Sequence, residues 1–107
     1  MNTEMMKGSI DILLLSLIAK SDMYGYQITK SLKELSNDVY HMSEGTLYSA
    51  LKRLEKKELV LSYWSETVNG RRKYYQMTNK GKAELEKKLT DWKSITQLIE
   101  KCAEGST

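Results

Sequence analysis

The chain has 107 residues, 40% of them hydrophobic and 29% charged, with a formal net charge of +3. That length supports one domain with a modest core, and is small enough for oligomerisation to add to its stability. So small a net charge excludes a histone-like polycation, so any nucleic-acid binding must come from how the charge is distributed.

The run IDILLLSLIA (10–19) opens the first predicted helix, about Met6 to Lys20. Asp11 inside it, its shortness and the lack of a small-x-small cleavage site exclude a signal peptide or a membrane span, which predicts a cytoplasmic protein. Ile10, Leu13, Leu14, Leu17 and Ile18 form one stripe that Ile12 and Leu15 widen, so this helix is expected to be buried against more than one partner. A second helix is predicted over about Tyr24 to Leu35, with Ser21 or Asp22 as its cap and Ile28, Leu32 and Leu35 inward. A third begins at Ser43, a good N-cap. Leu47, Ala50, Leu51 and Leu54 point inward, while Gly45, Ser49, Lys52 and Lys56 point outward with Arg53 beside them. Small residues followed by cations suit a helix whose N-terminal end enters a DNA groove, and suit a solvated face equally.

Two strand-like segments surround Asn69-Gly70, a strong hairpin signal. A type I′ turn there would place Trp64 opposite Tyr75 and send Arg71, Arg72 and Lys73 out on the hairpin tip. Thr78 then caps a last helix. Along it Leu85, Leu89, Trp92, Thr96, Ile99 and Ala103 repeat as a heptad seam, with Ile95, Leu98 and Cys102 in a second stripe. Such a helix has more apolar surface than so small a domain can cover, which a homodimer through the first and last helices would remedy. The fold class is therefore mostly α with a β-hairpin. It is a winged helix-turn-helix over about residues 7–78, followed by a C-terminal dimerisation helix over about 79–103.

Several segments carry a resemblance: MYGYQITKSL (23–32), EGTLYSALKRLEKKELV (44–60), RRKYYQMTNKGK (71–82) and the tryptophan of the last helix. In this order they resemble the PadR family of bacterial transcriptional regulators, from about Ile10 to Ile99. The short length is similar to the small PadR-like subfamily that includes multidrug-sensing repressors. Two positions depart from the family pattern, which often has proline where Ser49 stands and glycine where Glu58 stands.

The resemblance implies a homodimer on double-stranded operator DNA, with the third helix in the major groove. Ser43, Glu44, Thr46, Ser49, Lys52 and Arg53 would lie at that groove. Tyr26 and Tyr48 would offer hydroxyls to phosphates, although packing explains both tyrosines as well. Arg71, Arg72 and Lys73 would form the wing on flanking phosphates. It also implies an effector, planar and hydrophobic or cationic, at the dimer interface. Met5, Asp11, Ile12, Leu15, Leu89, Trp92, Lys93, Thr96 and Ile99 would line that site. A tryptophan on a heptad seam serves equally as plain interface packing.

Other function classes find less support. One cysteine, Cys102, and one histidine, His41, cannot build a disulfide or a zinc site. No nucleophile–base pairing and no glycine-rich phosphate loop is present, so neither an enzyme nor a cofactor is expected. A protein-interaction adaptor on a winged-helix scaffold would also be a dimer, but would not bind duplex DNA specifically.

Overall fold

The computed structural model describes residues 8–105. Helix α1 (Ile10–Lys20) leads through the short strand β1 (Met23–Tyr24) into α2 (Gly25–Leu35) and α3 (Glu44–Lys56). Strands β2 (Val60–Thr67) and β3 (Gly70–Met77) follow, and α4 (Asn79–Glu104) completes the described chain. The strands form an antiparallel sheet in the order β1-β3-β2. This is a winged helix-turn-helix extended by a long C-terminal helix.

The elements begin and end where side-chain chemistry directs. Ser43 caps α3, its hydroxyl accepting from the Thr46 backbone N–H at 3.2 Å. Thr78 caps α4 by accepting from Gly81 N–H at 2.9 Å, and its hydroxyl also reaches the carbonyls of Glu58 and Leu59. At α2 the expected cap differs. Gln27 reaches back to accept from the Tyr24 N–H, while Asp22 accepts from the Tyr63 hydroxyl and the Gln76 side-chain amide. At the end of α3, Glu58 N–H bonds Glu55 O and Leu59 N–H bonds Leu54 O, a Schellman motif with Glu58 in the left-handed region at φ 63°. A glycine at this position would adopt that conformation without the Cβ penalty.

One core joins Leu14, Leu15 and Ile18 of α1, Ile28 and Leu32 of α2, and Leu47, Leu51 and Leu54 of α3. Val60 and Tyr75 from the sheet and Leu85 from α4 complete it. Leu35, expected inside, is exposed at the end of α2. At Gly81 an added Cβ would collide with the Leu59 carbonyl, so glycine lets α4 start directly against the α3–β2 junction. From Leu89 onward every described residue of α4 is exposed, although Trp92 still borders α1. The 26 residues of α4 account for much of the 59 Å long axis of the molecule.

The hairpin register differs from expectation by two residues. Ser62 pairs with Tyr75 and Trp64 pairs with Lys73. A type I′ turn needs two residues of positive φ, but here Gly70 alone has one, at 102°, and Asn69 does not. Val68 and Asn69 form the turn, and Gly70 follows as the left-handed residue. Thr67 closes it, its hydroxyl accepting from Asn69 N–H and donating to Gly70 O. Tyr75, 5% exposed, therefore anchors the hairpin without Trp64, which is 57% exposed.

Candidate nucleic-acid interface

The outward side of α3 carries the groups expected there. Ser43, Glu44, Gly45, Ser49, Lys52 and Lys56 are all exposed, opposite the buried Leu47, Ala50, Leu51 and Leu54. Glu44 sits in the first turn, where the helix dipole favours a carboxylate, and Lys56 in the last, where it favours a cation. Ser43 and Thr46 are also bonded hydroxyl to hydroxyl at 2.9 Å, so both are held in place at the start of the helix. Gly45 has no atom near its missing side chain, leaving a shallow step at the exposed helix start.

Tyr48 lies on the flank of α3 with its hydroxyl against Gly25, where a Cβ would collide with it. Gly25, between Tyr24 and Tyr26, thus has a packing reason: it admits α3 to the start of α2. Tyr26, the residue after Gly25, is exposed and borders a cleft with Thr29, Lys30, Lys33 and His41.

The three wing cations divide between the two faces of the sheet. Arg71 and Lys73 share the face of Tyr75, and Arg72 shares the opposite face with Tyr74. Each lies over a ring: Arg71 on Trp64 at 5.0 Å, Arg72 on Tyr24 at 4.4 Å and Lys73 on Tyr75 at 5.8 Å. Arg71 also pairs with Glu66 at 3.5 Å. Beneath Arg72 the rings continue, with Tyr24 edge-on to Tyr74 and Tyr74 stacked on Tyr63. The supporting rings Tyr24, Trp64 and Tyr74 have no place among the sequence-derived site residues. The one sign of them along β3 was the run of three cations followed directly by two tyrosines. It became readable only with the true register and with β1 as a third strand.

Tyr63 has its pKa raised, first by its hydrogen bond to Asp22 and then by burial. Burial raises Tyr40, and burial followed by the Glu55 charge raises Tyr75. None of these hydroxyls is prepared to ionise near neutrality.

The structure sorts the proposed effector residues differently. Met5 lies outside the described residues. Leu15 is fully buried within the protomer, so it belongs to the core and has no surface to line a cavity. Asp11 does not stand free: its carboxylate is paired with Arg53 of α3, so one nominated effector residue and one nominated DNA residue hold each other. Leu89, Trp92, Lys93, Thr96 and Ile99 are exposed along α4. Ile12 and Trp92 meet in a largely apolar groove of about 460 Å³ that also takes in Leu13, Leu17, Leu32, Leu35 and Tyr40. That groove runs between α1, the end of α2 and α4 of a single protomer.

Among the described residues no cluster of His, Cys, Asp and Glu could hold a metal ion, and no helix is long and apolar enough to cross a membrane.

The fold and surface agree with known proteins. The chain aligns with a PadR family transcription regulator from Clostridium difficile at 43% identity and TM-score 0.80, covering 89% of this chain and 98% of that one. A transcriptional regulator from Clostridium thermocellum gives TM-score 0.86 at 35% identity, over 92% of this chain and 97% of the other. The transcriptional regulator Rv3488 of Mycobacterium tuberculosis is 35% identical over 83 residues, 77% of this chain and 74% of its own. The model of the transcriptional regulator PadR-like family matches residues 14–87. The chain therefore belongs to the PadR-like family, whose members are DNA-binding transcriptional regulators and not enzymes.

Proposed function

We propose that the protein is a homodimeric, sequence-specific repressor that reads operator DNA with α3 and steadies it with the wing. The observation that carries this is the pairing of two surfaces. The exposed row Ser43, Glu44, Ser49 and Lys52 runs from the cap of α3 along its outward side, and Arg71, Arg72 and Lys73 stand on the neighbouring hairpin. Small and polar groups at the helix start suit base edges, and Lys52 suits a phosphate or a guanine. Thr46, Tyr26 and Tyr48 would contribute hydroxyls at the edges of the DNA-facing surface. The wing cations, held over rings, would meet flanking phosphates with little ordering cost.

Dimerisation follows from α4. Trp92, Ile95, Leu98 and Ile99 are exposed along a single helix of one protomer, a pattern that a second copy would cover. Two reading helices at a fixed spacing would then require a two-fold operator. An effector would lodge near Trp92, with Ile12, Leu89, Lys93, Thr96 and Ile99 around it. Since Arg53 neutralises Asp11, a planar apolar effector suits this site better than a cation. Such a ligand would relieve repression only by favouring one spacing of the reading helices over another.

Selection of bound duplexes from a random pool, followed by titration across salt, tests the reading. Specific binding with a steep slope is expected. Changing both Arg71 and Arg72 to Ala should lower that slope by roughly 0.9 for each phosphate no longer neutralised. Parent-like affinity and slope in this variant would remove the wing from the interface. For the effector, a planar dye should quench tryptophan emission in the parent but not in Trp92→Ala, where Trp64 still emits.

A further inference from the structure

We infer that Arg53 is a positioning residue, which ties the DNA-reading helix to α1 through Asp11 and does not touch DNA itself. The inference rests on the DNA-binding reading above. Arg53 Nη2 donates to Asp11 Oδ1 at 2.5 Å, across 42 residues of sequence. The Asp11 side chain is 18% exposed and the Arg53 side chain 44%. A guanidinium that left to grip a phosphate would strand a mostly covered carboxylate without its partner, which is costly. Holding Asp11 and touching DNA are therefore competing uses of one side chain.

The position of Arg53 on α3 supports the same assignment. At about 100° per residue, Gly45, Ser49, Lys52 and Lys56 fall on the outward side. Arg53 falls on a flank, with Thr46 two turns before it, and reaches toward α1. Both ends of the pair are anchored. Asp11 lies in the first turn of α1 between Ile10 and Ile12, which pack on the core, while Arg53 lies in the last turn of α3 beside the fully buried Leu54. Helix α1 in turn packs against α4 and lines the apolar groove with Trp92. The pair thus connects the layer that carries α4 to the helix that reads DNA. A guanidinium bond is directional, so it restrains the tilt of α3 on α1 more tightly than apolar packing alone. In a dimer, that tilt sets how the two reading helices meet successive grooves.

The test uses the duplex the parent selects from a random pool and a scrambled duplex of equal length. Asp11→Asn removes the charge that holds Arg53 and leaves only a neutral amide oxygen opposite it, so the guanidinium is held far more weakly. Positioning predicts about tenfold weaker binding to the selected duplex, an unchanged salt slope and little effect on the scrambled duplex. A phosphate-gripping Arg53 would instead bind both duplexes as well or better, which would overturn the inference. The exchanged pair Asp11→Arg with Arg53→Asp should regain selected-duplex affinity to within about threefold of the parent. If it binds worse than either single variant, because a carboxylate now faces DNA, the inference also fails.

A readout without affinity completes the set. The Arg53 guanidinium NMR signal should broaden in Asp11→Asn and stay unchanged when duplex is added to the parent. Movement of that signal on adding duplex would show that Arg53 touches DNA and overturn the assignment. A parent that selects no sequence at all would overturn both this inference and the reading beneath it.

Discussion

The body of the protein and the outer half of α4 carry similar apolar patterns with opposite outcomes. Leu47, Leu51 and Leu54 repeat along α3 at helical spacing and are all but completely buried. Leu89, Trp92, Ile95, Leu98 and Ile99 repeat as regularly along α4, and every residue from Leu89 to Gly105 is exposed. Periodicity shows that a face is apolar, not which surface covers it. In the body the cover comes from the same chain, and on α4 a second chain would supply it.

Removing one leucine from each region breaks the comparison most directly. Leu51→Ala would open a cavity among packed neighbours and should cost about 2–5 kcal/mol in a denaturant titration. Leu98→Ala should cost the dilute, dissociated protein less than about 0.5 kcal/mol, because the side chain is 61% exposed in its own chain. Equal costs would mean that α4 folds back on the body in solution.

Charging the seam comes next. Trp92→Asp with Ile99→Asp should weaken self-association by at least about a hundredfold, measured by sedimentation. The far-ultraviolet spectrum of the body should be retained. Binding to a two-fold operator should fall with it, since each reading helix would then bind alone. A variant that remained dimeric would place the interface elsewhere on the body.

The two regions also differ in how far they could be read from sequence. The helix order, the caps at Ser43 and Thr78 and the inward residues of α3 were legible because each rests on local chemistry. The hairpin existed where Asn69-Gly70 signalled it, yet its register was off by two residues. Whether Asn69 adopts positive φ depends on Thr67 and on the strands around it, which a dipeptide does not encode. The Asp11–Arg53 pair was invisible for another reason: it joins helices 42 residues apart, and each residue had a plausible separate use. Tyr24 was missed beneath Arg72 because a two-residue strand has no periodicity to detect.

Backbone strain offers a smaller test, confined to the body. Glu58 holds a left-handed conformation at φ 63° to end α3, and side chains with a Cβ pay for that geometry. Glu58→Gly should stabilise the protein by about 0.5–1 kcal/mol, net of the extra freedom glycine gives the unfolded chain. The same change at Glu100, in the interior of α4, should destabilise the helix by a similar amount. The opposite signs would separate a residue that terminates a helix from one that sustains it.

The smallest effect is a dependence on alkaline pH, and it too belongs to one region. All seven tyrosines precede α4, the last being Tyr75. Burial, then the Glu55 charge, then Tyr48 raise the Tyr75 pKa, and burial raises Tyr40. A phenol whose pKa is higher in the folded state than in the unfolded chain stabilises the fold while both states are protonated. That contribution is therefore whole below the unfolded value of about 10 and is lost as pH climbs through the raised folded values. Denaturant midpoints should hold steady to about pH 9 and then decline. Tyr75→Phe should flatten part of the decline, because one of the shifted protons is gone. The Trp92→Asp/Ile99→Asp variant should keep the parent profile, since its altered helix holds no tyrosine. A profile that flattened in that variant would mean the seam, and not the buried phenols of the body, sets the alkaline limit.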